Sequence, residues 1–383
     1  MEINSIISLI RDTYKTNEFI ALHEPSFHGN ELKNVSEAIK STYVSSIGVF
    51  VDEFEKGIEK FTGSSGAVST VNGTAALHAS MYAAGIKPGE AVITQSLTFV
   101  ATCNAIYHMG AQPIFVDVSK KTMGLCPKAL NQFLEENAIL KENGTFLKSS
   151  KKRIRAAIPM HTYGHPVEID EIDAICKKWK LALIEDAAES LGSFYKGQHT
   201  GTHGDFGALS FNGNKIITTG GGGAVLCGSK ESKKIVKHLT TTAKVPHPYE
   251  FYHDVAGFNY RMPNINAALG VAQLELLSDF LLKKRQLAMH YKAFFKNSEC
   301  SFFDEPKDSK SNFWLNTIVC PDLEFRNEIL EKANTSGVMI RPIWTPMHKL
   351  PAFMEAPRDD LTNTSWFEAR VVNLPSTPLG ATL

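Results

Sequence analysis

Lys215 lies in the run Ser210-Phe211-Asn212-Gly213-Asn214-Lys215, followed by Ile216-Ile217-Thr218-Thr219 and the glycines Gly220 to Gly223. A lysine amine that loses its proton can attack a carbonyl, and small neighbours leave room for a bulky partner. Upstream, Ile184-Glu185-Asp186-Ala187-Ala188-Glu189-Ser190 sets acids at the end of an apolar stretch. Two more runs can complete a site around these groups. In Val71-Asn72-Gly73-Thr74-Ala75-Ala76-Leu77-His78 a strand, a tight turn and a helix start follow one another. Amides at a helix start favour an anion such as phosphate, glycine lets it approach the backbone, and Thr74 and Ser210 can add hydroxyls. In Gln95-Ser96-Leu97-Thr98-Phe99-Val100-Ala101-Thr102, Phe99 heads a helix and can stack on a flat ring. Each residue alone has an ordinary role: surface charge, helix cap, strand position or core ring. The conjunction carries the argument.

The elements that must position them alternate. Residues 67–71, 91–94, 113–118, 154–159, 181–185, 208–211 and 224–227 read as strands, with helices over 74–84, 98–109 and 169–179. Such alternation implies a mainly parallel α/β sheet with flanking helices, whose ligands bind outside the strands' carboxyl ends. Beyond residue 250 the pattern weakens into α+β, with a helix over 264–280. The expected division is an N-terminal extension at 1–20, a large ligand-binding domain at 21–250 and a small C-terminal domain at 251–383. The extension is expected to form an amphipathic helix through Ile6, Ile7, Leu9 and Ile10. The lysine-rich stretch 141–155 reads as a solvated loop.

Composition limits the function. The 383 residues are 43% hydrophobic, enough for a large core. Lys plus Arg equals Asp plus Glu at 40 each, which leaves no basic field for nucleic acid. The six cysteines form no C-x-x-C pair, which offers no zinc framework and suits a reducing compartment. The N-terminus lacks the features of a signal peptide, and no purely apolar run has membrane-spanning length. The expectation is a cytoplasmic protein with no metal and no membrane partner.

Seven stretches in order resemble one family: VNGTAALHA (71–79), LTFVATCNAI (97–106), PIFVDV (113–118), HTYGHP (161–166), IEDAAESLGSFYKG (184–197), SFNGNKIITTGGGGAVL (210–226) and GFNYRMPNINAALGVAQLE (257–275). The chain resembles the DegT/DnrJ/StrS sugar aminotransferases, of fold type I among pyridoxal phosphate enzymes. LHEPSFHGNELKNV (22–35), SNFWLN (311–316) and RPIWTPMHKL (341–350) are most similar to its nucleotide-sugar 4-aminotransferase branch of bacillosamine and legionaminic acid synthesis.

The resemblance implies a role for each residue. Lys215 would join the cofactor through its amine and shuttle the proton. Asp186 would pair with the pyridine nitrogen, and Phe99 would stack on the ring. Gly73, Thr74 and Ser210 would hold the phosphate. Glu189, where many relatives have glutamine or histidine, would sit near the phenolic oxygen. Asn259 would reach the phosphate from the partner subunit of a homodimer, and His161, Arg261 and His348 are candidates for substrate contact. The implied reaction moves an amino group from glutamate, through pyridoxamine phosphate, to C4 of a nucleotide-linked 4-keto-6-deoxy sugar. A UDP-linked N-acetylhexosamine is the first expectation, with a GDP- or dTDP-linked sugar as alternative. A sugar-binding protein without catalysis is the remaining alternative.

Overall fold

The computed structural model describes residues 2–378 and 380. The apolar segments assemble into a sheet whose main path runs Gly66–Thr70, Gly223–Cys227, Phe206–Ser210, Ala182–Asp186, Arg153–Ile158, Ala91–Gln95, Gln112–Val116. The strands from Phe206–Ser210 to Gln112–Val116 pair in parallel. Gly223–Cys227 runs antiparallel to both its neighbours. The carboxyl ends at Thr70, Ser210, Asp186 and Gln95 therefore lie on one edge. The connections carrying Gly73, Lys215, Glu189 and Phe99 leave from that edge.

Alternation along each strand sends neighbours to opposite faces. Val92 and Ile184 pack with Leu77 and Met81 of helix Gly73–Ala83, Ile106 of Val100–His108 and Val236 of Lys230–Thr240. Ile93 and Leu183 pack the other way, on Leu130 and Phe133 of Pro127–Asn137 and Ile172 of Ile169–Lys178. Both faces are covered, which is why these strands are apolar throughout.

Two expectations change. The stretch 141–155 is not a plain loop: Ala138–Lys141 and Gly144–Leu147 form a hairpin whose second strand pairs with Arg153–Ile158 and widens the sheet. Edge pairing satisfies backbone groups while the lysines stay in water, so polarity hid the strands. The helix expected over 264–280 runs as Asn264–Phe295, long and apolar enough by composition to cross a membrane. It is a core helix instead: Ala267, Ala268, Leu277 and Phe280 pack on Phe50, Phe54 and Ile58 of helix Val49–Thr62 and Ala38 of helix Glu31–Lys40.

The N-terminal helix Glu2–Tyr14 packs on its own chain. Its Ile3, Ile6 and Ile10 meet Leu287, Tyr291 and Phe295 of the long helix and Val372 and Leu374 of a second sheet. That sheet is antiparallel, in the order Ser301–Phe302, Asn316–Val319, Val371–Leu374, Arg341–Pro342. Asp117, just after the strand Gln112–Val116, accepts Asn363 N–H at 2.7 Å and Thr364 N–H and O–H at 2.8 Å each. It thereby caps helix Thr362–Glu368 from across the molecule.

Candidate active site

Lys215 follows the strand Phe206–Ser210, and its side chain is only 13% exposed. Its Nζ lies 3.3 Å from Glu189 Oε1 and 3.9 Å from the centre of the Trp314 ring. Trp314 is fixed by donating its indole N–H to Asn214 O at 2.6 Å, one residue before the lysine. Glu189 Oε2 accepts the Tyr163 amide at 2.9 Å. Tyr163 has a left-handed backbone (φ 55°), which a β-region residue there would not share. Burial pushes the Glu189 carboxyl up to about 7, against the pull of Lys215.

Asp186 ends the strand Ala182–Asp186 and is buried. Thr102 donates its hydroxyl to Oδ2 at 2.5 Å, and Ala188 its amide to Oδ1 at 3.2 Å. Burial raises its pKa, while the Thr102 bond, the Ala188 amide and the Lys215 charge work against that rise. A carboxylate held this way suits a cationic N–H partner, which would restore its low pKa.

The anion cradle is built by close approach. Asn72 caps helix Gly73–Ala83 through Ala75 N–H at 2.8 Å, and the earlier amides of Gly73 and Thr74 have no partner within the helix by position. A Cβ on Gly73 would meet Ser210 Cβ at 2.8 Å, so only glycine lets the helix start sit against the Ser210 hydroxyl. A Cβ on Gly223 would meet Asn72 O at 2.4 Å. Phe99 precedes helix Val100–His108 and is 47% exposed, with a face open for stacking. It meets Trp344 edge-on at 6.2 Å, and Trp344 lies 4.8 Å from Tyr163, which makes an aromatic wall between Phe99 and Trp314.

The proposed substrate contacts divide. His348 is drawn to the edge of this site, its Nδ1 2.8 Å from Ser96 Oγ, three residues before Phe99. His161 is not available to substrate. It is fully buried, accepts Val167 N–H at its Nδ1 (3.2 Å), and so donates Nε2–H to Glu185 at 2.9 Å. Burial alone would raise the Glu185 pKa, but His161 and the Gly201 amide lower it overall. This buried pair belongs to the scaffold behind Asp186. Arg261 pairs its backbone with Thr70 beside the cradle, and its Nε is buried without a partner. Asn259 is exposed on the same segment.

Thr102, Tyr163 and Trp314 were missed from sequence. Thr102 was legible, because it lies one helical turn after Phe99 and so shares its face. Trp314 comes from a segment far along the chain, and nothing local points to Lys215.

The DegT/DnrJ/EryC1/StrS aminotransferase family model matches residues 25–382. This chain belongs to that family. It is 35% identical to GDP-perosamine synthase of Escherichia coli O157:H7 over 94% of each chain. It is 36% identical over 87% of its length, and 84% of the relative's, to EpsN of Bacillus subtilis, which carries the name of a pyridoxal phosphate-dependent aminotransferase. Among solved structures, the aminotransferase TlmJ of Streptoalloteichus hindustanus superposes with a TM-score of 0.84 at 24% identity, covering 94% of this chain and 93% of TlmJ. DesV of S. venezuelae gives 0.80 at 25%, over 91% and 89%.

The cofactor of the aminotransferase is pyridoxal phosphate, and the residues fit it. The close approach at Gly73 sets its helix-start amides beside the Ser210 hydroxyl as donors for a phosphate, Phe99 offers an open ring face, and Asp186 is a buried carboxylate lacking a cationic partner within bonding distance among the described residues. Lys215 supplies the amine.

Proposed function

We propose that this enzyme is a sugar aminotransferase that moves an amino group from glutamate to C4 of a nucleotide-linked 4-keto-6-deoxy sugar, for bacterial surface-glycan synthesis in the cytoplasm. The observation that carries the reading is Lys215, held between Glu189 and Trp314 on the sheet edge that also bears Asp186 and the Gly73–Ser210 cradle. When bound, pyridoxal phosphate supplies an electron sink for the charge left when the substrate carbon loses its proton. Asp186 keeps the ring nitrogen charged, Phe99 orients the ring, and Gly73, Thr74 and Ser210 hold the phosphate. Lys215 acts as base once its amine is free and neutral.

The active unit is a homodimer in which Asn259 of one subunit completes the cradle of the other. Support comes from the adjoining surface: Tyr249 is 78% exposed and Phe251 80%, with Tyr252 and Val255 exposed beside them. Contiguous apolar exposure of this kind marks an interface. His348 and Arg261 take substrate contacts. Residues 21–250 serve as the cofactor-binding domain, 251–383 as the small domain and 1–20 as the extension.

Two observations bear on the nucleotide. Similarity to the GDP-perosamine synthases favours a GDP-linked sugar. The likeness of residues 22–35, 311–316 and 341–350 to the bacillosamine and legionaminic acid branch favours a UDP-linked N-acetyl sugar. UDP-, GDP- and dTDP-linked 4-keto sugars, each offered with glutamate and followed by mass, decide between them. Turnover of none would overturn the substrate assignment. Lys215→Ala should end turnover yet still bind pyridoxamine phosphate; near-normal transamination would overturn the site.

A further inference from the structure

We propose that Glu189 is itself a catalytic group: its carboxylate takes a proton from the Lys215 ammonium, so that the lysine attacks as the neutral amine, and later returns it. The inference rests on Lys215 being the residue that joins the cofactor.

The geometry pairs these two groups, with the Asp186 carboxylate and the buried His23 imidazole also within electrostatic reach of Lys215. Glu189 Oε1 is 3.3 Å from Lys215 Nζ and is the only carboxylate oxygen within ion-pair distance of it among the described residues. The acid is fixed: Tyr163 N–H holds Oε2 at 2.9 Å, and the Asn312 amide holds the Glu189 backbone carbonyl at 2.9 Å. Trp314 covers another side of the ammonium at 3.9 Å. Both side chains are shielded from water, at 13% and 2% exposure, so a proton leaving Nζ needs an acceptor inside the protein. The charged and titratable groups around Glu189 are Lys215, Asp186 of its own segment and the Tyr163 phenol, while Trp314 and Asn312 add no charge.

In water a carboxylate is about six pK units too weak a base to hold an ammonium proton. Burial narrows that gap by lifting Glu189 to about 7. Transfer also turns a buried ion pair into two neutral groups, which a poorly solvated site tolerates better than it would tolerate separated charges. The step balances. One ammonium proton passes to Glu189, a bond forms from Nζ to the aldehyde carbon, and the two remaining amine hydrogens leave with the aldehyde oxygen as water.

The test follows pyridoxal phosphate capture by the apoenzyme, by rapid mixing between about pH 6 and 9, read as growth of the visible band of the lysine-linked cofactor. Wild type should show a rate that flattens above about pH 7. Glu189→Gln should be slower at pH 7 by about 100-fold, the lower range for general base catalysis, with a rate rising about tenfold per pH unit. Glu189→Asp, with its shorter arm, should be slower than wild type yet keep the flat profile. If the acid served only as a counter-charge, Glu189→Gln would remove a charge that holds the ammonium and capture at pH 7 would be as fast or faster; that result overturns the proposal. A sloped Glu189→Asp profile also overturns it. Absence of the band in wild type would overturn the lysine assignment, and the proposal with it.

Discussion

Thr102 donates its hydroxyl to Asp186 at 2.5 Å, bridging helix Val100–His108 and the strand Ala182–Asp186. The helix that begins beside Phe99 therefore also pins the acid, so ring platform and ring partner are set by one rigid element. Thr102→Val removes this bond while keeping the side-chain volume. A hydrogen bond to a charged group contributes about 1.5–3 kcal/mol. We expect pyridoxal phosphate affinity to fall by about 10- to 100-fold, measured by fluorescence titration of the apoenzyme, with little change in far-UV circular dichroism.

Gly73→Ala puts a methyl 2.8 Å from Ser210 Cβ, inside the distance real contacts show. The helix start and the strand end must part, which separates the Gly73 and Thr74 amides from the Ser210 hydroxyl. Overpacking of this kind costs about 1–3 kcal/mol. Cofactor retention during dialysis should be lost, while Ser210→Ala, which removes only a hydroxyl, should weaken it less.

Glu185 is the scaffold acid. It accepts from Gly201, His203 and Gly204 amides at 2.7–2.8 Å as well as from His161. Glu185→Ala strands all four donors in the interior, and each buried donor left unpaired costs about 1–3 kcal/mol. The melting temperature of the apoenzyme should drop by several degrees. A fall in turnover with unchanged melting would show that the pair acts on chemistry instead.

Glu189 gives the apoenzyme a pH-dependent stability of defined sign. Its folded pKa, about 7, lies above the ordinary carboxylate value of 4.5, because burial disfavours the charged form. Its contribution is therefore fully present below about pH 4.5 and is lost as pH rises through about 7. The loss amounts to about 3 kcal/mol at 1.4 kcal/mol per unit. The melting temperature of wild type relative to Glu189→Gln should decline over this window. A rising or flat difference would show that Glu189 is not desolvated.

Much of this arrangement was legible in the chain. Apolar strands alternating with helices, and the turns after Val71 and Ser210, declared the sheet and its chemical edge, because burial on both faces leaves a strong compositional mark. Asp186 at a strand end, Phe99 at a helix start and Lys215 after a strand lie at the places in the fold that the local pattern gave them. His161 misled: its placement in an ordered motif gave no sign that its ring faces Glu185 in the interior. Trp314 was silent for the opposite reason. Its meeting with Lys215 depends on tertiary packing between segments about a hundred residues apart, which local periodicity cannot encode. The hairpin at 138–147 was hidden by the polar run Lys141-Glu142-Asn143 at its turn and by the lysines that follow it, while its backbone pairs.

The antiparallel strand Gly223–Cys227 has a consequence for folding order. Its residue Gly223 stands opposite both Thr70 and Ser210, so the cradle brings together segments far apart in sequence and exists only once that strand is inserted. Closing long loops is slow relative to local structure formation. Pyridoxal phosphate thus has no complete site on a half-assembled sheet, and a ligand that binds only the finished form draws the population toward it. The cofactor would therefore bind as a late seal, stabilising only the finished form.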